Sequence, residues 1–389
     1  MLAMKAVQQQ YTPTSETLWL LDQFRQMLNH CIQIGLAENA TSLKSLSLKA
    51  YRQLDRYDVI SYYKLCAISA AAGILRNYHK AKRKNKRSKE PYARRLRLAT
   101  CYGFKIMEGY LLLPFKPKQP IQVPLNKHTM QVISEPSLQV RSITLTDQTL
   151  NISYAKNMEL IKPRGLLAID RNLDNLTTAD TDEHIVQHDL SNATRIKATY
   201  REVRSHMKRN DIRVRRRISG KYGRKQREKV KQILHHASKQ IVADAKMRQF
   251  GIVMEKLTGI RKLYRRGNWQ GRDYRCRMNS WSFAELQRQI EYKARWEGVR
   301  VIYVNPSGTS VKCSMCGSRM ARIPEENRTL KCQSCGFMVD RDVNAAKNIL
   351  ARAPRFRAFA PAKEAMVQEL AQQQAAIMKV DACELTQKP

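Results

Sequence analysis

The chain has 389 residues and a formal net charge of +38, from 71 Lys and Arg against 33 Asp and Glu. That length suits two or three domains with a sizeable core, and a field of that sign concentrates polyanions, above all nucleic acid. No apolar run approaches the roughly 20 residues that span a bilayer, and Met1–Pro13 is polar without a signal-peptide pattern, which argues against a membrane or secreted protein and for a cytoplasmic one with reduced thiols.

Taken in order, Lys5–Tyr11 alternates as a strand and stops at Thr12-Pro13-Thr14, after which Ser15 or Thr17 caps a helix starting near Leu18. Leu20, Leu21, Phe24, Met27, Leu28, Cys31 and Ile32 recur at three and four, a helical period that Tyr51–Tyr78 repeats. Such stripes are ordinary core. The run His79–Arg97, with Lys82, Arg83, Lys84, Lys86 and Arg87 at its centre, carries one acid, Glu90. Cations packed that densely repel one another without an anion, so the run reads as a phosphate contact. From Thr100 the pattern changes to short β-like runs punctuated by proline (Gly103–Ile106, Tyr110–Phe115, Ile121–Val123, Met130–Ile133, Val140–Leu145, Leu150–Tyr154), as in a small antiparallel barrel or sandwich.

Beyond the linker Lys162-Pro163-Arg164-Gly165, Leu166–Asp170 is an apolar strand ending in a carboxylate, with further strands expected at Asn175–Thr178 and Ile185-Val186. Ser191–Lys246 predicts a long basic helical stretch, broken at Ser219–Gly223, that presents Arg213, Arg215, Arg216, Arg217 and Arg224 to a nucleic-acid backbone. Phe250–Glu255 is a second apolar strand with an acid at its end. The segment after it mixes Arg265 and Arg266 with Tyr264, Trp269 and Tyr274, a composition suited to base stacking as well as phosphate contact. A helix over Ser282–Glu297 and a strand over Val299–Val304 lead to the cysteine motifs.

Cys313-x2-Cys316 and Cys332-x2-Cys335 flank the 15 residues Gly317–Lys331, a spacing that suits one structural, tetrahedral Zn²⁺. The other five cysteines show no regular spacing and read as reduced thiols. Asp342 opens a short helix over Val343–Ala351, with Asp340 just before it, and an Ala- and Gln-rich tail follows Pro354. A lone acid at a strand end is ordinarily a turn or cap residue. Asp170, Glu255 and Asp342 differ in that strand ends of a mixed α/β sheet converge at one edge. Grouped carboxylates there repel unless a divalent cation such as Mg²⁺ or Mn²⁺ neutralises them, and such a site hydrolyses phosphodiesters.

These stretches resemble the TnpB family of transposon-encoded RNA-guided nucleases, relatives of the type V CRISPR effectors. The resemblance is carried by Gly165–Asp170 with Asn175-Leu176-Thr177, by Ile252–Leu257, by Asn279–Phe283 with Leu286, by Val304–Ser310, by both cysteine pairs and by Asp340–Ile349. It is motif-level from about residue 163 to 350, and departs where Arg171-Asn172 stand in place of the Leu-Gly of many relatives. It implies an α/β fold: an RNase H-like (RuvC) nuclease domain interrupted by the zinc ribbon, plus an N-terminal wedge β-barrel into which a helical recognition module is inserted. In this chain that gives a first wedge strand at 1–14, the helical module at 15–98, the barrel at 99–161, nuclease parts at 162–308 and 340–353 around the ribbon at 309–339, and a partly disordered tail at 354–389. Asp170, Glu255 and Asp342 become the catalytic acids, Asp342 being preferred to Asp340. A guide RNA and a target DNA become the partners, with cleavage beside a short flanking motif. An RNA-guided regulator that binds without cutting is the alternative, and the loss of an acid that would favour it is not found here.

Overall fold

The first strand, β1 (Leu2–Gln10), runs antiparallel to the last strand of its unit, with Val7 opposite Ile152. Helix α1 (Ser15–Ala37) follows, capped by Thr14, whose hydroxyl accepts from the amide of Thr17. The cap therefore sits one residue ahead of the expected Ser15. Helix α2 (Leu43–Ala50) and a 3-10 turn (Arg52–Arg56) precede α3 (Ser61–Lys84), so the stripe expected over Tyr51–Tyr78 is interrupted after Arg56. Leu20, Phe24, Met27 and Cys31 of α1 pack with Ala67, Ile68, Ala71 and Leu75 of α3, the small residues letting the two helices approach closely.

Strands β2 (Arg97–Thr100), β3 (Lys105–Met107), β4 (Tyr110–Lys116) and β5 (Gln119–Pro124) come next, then helix α4 (Lys127–Ile133) and strands β6 (Gln139–Thr146) and β7 (Thr149–Asn157). All pairings are antiparallel and form two separately hydrogen-bonded sheets, β1-β7-β6-β2 and β3-β4-β5. Met130–Ile133, expected as a strand, lies in α4. Asn126 caps that helix by accepting from Thr129 N at 2.7 Å, and its own amide donates to Gln9 Oε1 of β1 at 3.1 Å. A cap residue followed by a docking contact outweighs the β propensity of a four-residue run.

The second unit opens with β8 (Gly165–Arg171), β9 (Asn175–Asp180) and β10 (Ile185–Asp189), followed by α5 (Ser191–Ser205), α6 (Ile212–Met247) and β11 (Phe250–Glu255). Residues 256–281 contain a 3-10 turn (Ile260–Tyr264) and α7 (Arg272–Ser280); α8 (Phe283–Trp296) and β12 (Val301–Val304) then complete the sheet. Its order is β10-β9-β8-β11-β12, with β8, β11 and β12 parallel, β9 antiparallel to β8 and β10 antiparallel to β9. The expected break at Ser219–Gly223 is absent: α6 runs through both glycines, and Tyr222 packs edge-on against Tyr200 of α5 with ring centroids 6.0 Å apart. Each interior glycine costs a helix about 1 kcal/mol, which pairing with a neighbouring helix offsets.

Alternation along the strands sorts the sheet into two faces. Leu167, Ile169, Ile252 and Met254 pack with Val230, Leu234 and Ile241 of α6 and with Leu286 and Ile290 of α8. Leu166, Ala168 and Val253 face the other way, toward Ile349. That residue belongs to α9 (Arg341–Ala351), reached through the three-stranded ribbon β13 (Met320–Ile323), β14 (Glu326–Cys332) and β15 (Met338–Asp340).

The computed structural model describes residues 1–353 apart from 86, 117–118, 208–211 and 324–325. The tail expected to be partly disordered, 354–389, lies outside the described residues, as do Lys86 and the side chains of Val214, Arg215 and Asn327. By contacts the chain divides into Met1–Leu160 with Arg295–Gly298, and Ile161–Ala294 with the chain from Val299 onward. Among the described residues no helix is long and apolar enough to cross a membrane.

Candidate active site and cysteine cluster

On the α9 face of the sheet, the alternation that points Leu166 and Ala168 toward Ile349 places Asp170 next in the series on β8. Val253 and then Glu255 do the same on the adjoining parallel strand β11. The register pairs Val253 with Ala168 and Met254 with Ile169, so the two acids fall side by side at the carboxyl ends of neighbouring strands. Asp342 stands in the first turn of α9, over β8 and β9. All three are buried, at 7 %, 7 % and 3 % exposure. Burial pushes the Asp170 carboxyl up to about 7, with Glu255 and then Asp342 adding to the rise and a hydrogen bond from Asn172 opposing it.

Each acid has a holder. Asn172 Nδ2 donates to Asp170 Oδ2 at 2.8 Å, Thr309 Oγ1 to Glu255 Oε1 at 2.6 Å, and Asn175 Nδ2 to Asp342 Oδ2 at 3.2 Å. Asp340, the reserve candidate, is occupied otherwise: its Oδ1 accepts from the amides of Asp342 and Val343 and caps α9. The three carboxylates do not form one tight ligand set. Among the described residues, the groups whose ligand atoms all lie within 4.8 Å of one another are the four cysteines and Asp180, Asp182 and His184. The oxygen donors nonetheless suit a hard cation, since the buried Oδ1 of Asn175 beside Asp342 has no partner.

Two arginines stand at the site with no composition signal to set them apart from the chain's other cations. Arg328 of β14 donates to Asp342 Oδ2 and lies 3.4 Å from Asp340 Oδ2, so a ribbon residue supplies positive charge to the third acid. Arg171 points to the opposite face, is 2 % exposed, and donates to Gln287 Oε1 at 3.0 Å and to the backbone oxygen of Glu255. It thereby ties the ends of β8 and β11 together beneath the acids. Only its position next to Asp170 in the series hinted at this.

The cysteine cluster is built from two knuckles. Gly317 and Gly336 follow the pairs with φ of 78° and 71°, a left-handed turn that glycine adopts without steric cost. Gly317 N donates to Cys313 O at 2.9 Å and Gly336 N to Cys332 O at 3.1 Å, folding each pair back on itself. The sulfurs of Cys313 and Cys335 lie 3.8 Å apart and those of Cys316 and Cys332 3.4 Å apart, with no disulfide among them. Asn344 and Asn348, one turn apart on α9, hold the first knuckle: Asn344 Oδ1 accepts from Ser314 N at 2.9 Å and its Nδ2 donates to Lys312 O at 2.7 Å. Asn348 Nδ2 donates to Thr309 O at 2.8 Å and Lys312 O at 2.7 Å. The ribbon is thus fastened to the helix that carries Asp342. The Asp180–Asp182–His184 group can hold a cation too, but Arg248 already pairs with Asp180 at 2.6 Å and Asp182 at 3.1 Å.

Comparison with known proteins adds the lineage. The Cas12f1-like TNB domain model matches residues 283–349. A TnpB-like protein of Methanocaldococcus jannaschii, MJ0751, is 30 % identical over 231 residues, covering 57 % of this chain and 81 % of that protein. The chain belongs to the TnpB family. A second relative of this TnpB member, the CRISPR-associated endodeoxyribonuclease Cas12f1 of Sulfoacidibacillus thermotolerans, is 36 % identical over 120 residues, 30 % of this chain and 25 % of that one. The solved complex of a Cas12f1 with sgRNA and target DNA superposes with a TM-score of 0.59 at 16 % identity, covering 86 % of this chain and 81 % of that one. The TnpB chain therefore has a mixed α/β fold of the Cas12 effector kind, with a cysteine cluster able to bind metal.

The expected cationic contacts fall on both units of the TnpB fold. Lys82, Arg83 and Lys84 form the exposed last turn of α3 and Arg87 follows it, while Arg213, Arg216, Arg217 and Arg224 are exposed along α6 and Arg265 and Arg266 on the segment after β11. Lys86 and the Arg215 side chain lie outside the described residues.

The raised carboxyl of Asp170 makes a testable sign. Its folded pKa of about 7 exceeds the ordinary value of 3.8, so in the metal-free chain its contribution to stability is full below about 4 and is lost as pH rises through 7. Metal-free Asp170→Asn is expected to melt above the parent at pH 8 and to lose that advantage by about pH 4. Equal melting curves at both pH values would sink the burial argument.

Proposed function

We propose that the chain is an RNA-guided DNA endonuclease that hydrolyses phosphodiesters beside a short flanking motif. The observation that supports this best is the convergence of Asp170, Glu255 and Asp342 at one edge of the sheet, from adjacent strand ends and the helix above them. The reading takes the second unit as an RNase H-like (RuvC) domain, in parts 162–308 and 340–353, with the ribbon 309–339 inserted. It takes the two antiparallel sheets of the first unit, with strand 1–14 and the stretch 99–161, as a wedge module, and the helices of 15–98 as its recognition insert.

The three acids are the proposed catalytic residues and would hold Mg²⁺ or Mn²⁺. A divalent pair, when bound, activates water and stabilises the leaving oxygen. The chain's own contribution is to place and restrain: Asn172, Thr309 and Asn175 orient one carboxylate each, while Arg171 holds the Glu255 backbone. The four cysteines are the proposed ligands of one structural Zn²⁺. A tetrahedral centre with Zn–S near 2.3 Å needs sulfurs roughly 3.8 Å apart, close to the separations found. Exposed cations on α3 and on α6 would each contact nucleic-acid backbone, while base pairing between guide RNA and target DNA supplies specificity.

The test is plasmid-library cleavage with a randomised flank, using the chain co-expressed with its own locus RNA. Cutting that requires RNA, Mg²⁺ and Asp170, beside one enriched motif, is the expected result. RNA-dependent binding to the same DNA without cutting would replace the nuclease with a regulator.

A further inference from the structure

Residues 256–281 leave the sheet at Glu255 and return beside Asp170. At the return, Trp281 Nε1 donates to Asn172 O at 2.8 Å, and Asn172 Nδ2 donates to Asp170 Oδ2 at 2.8 Å. Lys197 of α5 clamps the same point through Ser280 O at 2.8 Å and Ser282 Oγ at 2.7 Å. Both feet of the excursion therefore stand at the acids.

The arm between them is built rather than slack. Tyr264 and Tyr274 pack edge-on at 6.0 Å, Asn279 Nδ2 donates to Tyr264 O at 3.1 Å, and Asn268 Nδ2 donates to Leu263 O at 2.9 Å. At its tip Trp269 adopts φ 55°, the left-handed region that a bulky side chain ordinarily avoids, and its indole is fully exposed. A single exposed apolar residue is ordinary. A strained and fully solvated tryptophan on an arm with eight cations and one acid, Asp273, is not. Arg265, Arg266 and Arg272 are exposed on either side of it.

We propose that Trp269 stacks on an unpaired base of the DNA strand delivered to the acid site, with the flanking guanidinium groups on its phosphates. An indole presented whole to solvent offers a π-face that an unstacked base can cover, whereas bases inside a duplex are already covered by their neighbours. The destination of the strand rests on the nuclease reading; the stacking contact does not.

The RNA-loaded full chain is compared with Trp269→Ala and Trp269→Phe, all carrying Asp170→Asn for binding and none for cutting. Single-stranded DNA bearing 2-aminopurine is expected to be quenched by the parent and by Trp269→Phe and not by Trp269→Ala, while the same duplex is not quenched. Trp269→Ala is expected to slow cleavage about tenfold to a hundredfold, the worth of one base–aromatic stack, with guided duplex binding changed less than about twofold. Quenching and cleavage both kept within about twofold in Trp269→Ala would overturn the proposal, as would quenching by single-stranded RNA alone. Trp269-dependent quenching in a parent that never cuts DNA would uphold the contact and discard the nuclease.

Discussion

Replacing any one of Asp170, Glu255 or Asp342 with alanine is expected to lower RNA-guided DNA cleavage by about a thousandfold or more, equivalent to about 4 kcal/mol of transition-state stabilisation. The three substitutions should not add, because the divalent pair that the set is proposed to hold would be lost once any member goes. Asp340→Ala is the informative control. Asp340 accepts from Asp342 N at 2.8 Å and Val343 N at 3.2 Å, so its loss should cost about 1 kcal/mol of stability as a helix cap and leave cleavage within several-fold of the parent. If Asp340→Ala were inactive and Asp342→Ala active, the assignment of the third acid would be reversed. RNA and DNA binding, followed by gel shift, should survive all four changes, since none removes a cation from the surface.

The second large effect concerns the cysteines. One zinc per chain is expected by elemental analysis of the purified protein, and Cys332→Ser should abolish it. Structural zinc contributes on the order of 10 kcal/mol or more to small domains of this kind, so the ribbon should become protease-sensitive. Cleavage should fall with it, by at least about a hundredfold, because Asn344 and Asn348 bind the first knuckle from the helix that carries Asp342. Serine in place of Asn344, which loses the knuckle contacts but no thiol, should give a milder version of the same defect with zinc retained. A zinc-free chain that stays folded and cuts DNA would show the thiols to be idle.

The sequence by itself determined the candidate site residues and the elements that depend on local pattern. The cysteine pairs and their glycines are short-range devices, and a carboxylate closing an apolar strand is visible without any partner. Strands β8 and β11 and helix α1 follow from periodicity, which is a property of neighbours in the chain. What the tertiary structure alone decided depends on contacts between distant segments. Met130–Ile133 became helix because Asn126 docks on Gln9, and α6 runs through two glycines because α5 lies against it. The guanidinium groups beneath and beside the acids were illegible for the same reason. In a chain with 71 basic residues, a buried Arg171 and a ribbon-borne Arg328 have the same composition signal as any solvated cation. Only the sheet's alternation, which turns Asp170 to one face and Arg171 to the other, and the ribbon register, which sets Thr329 opposite Asp340, give them their partners.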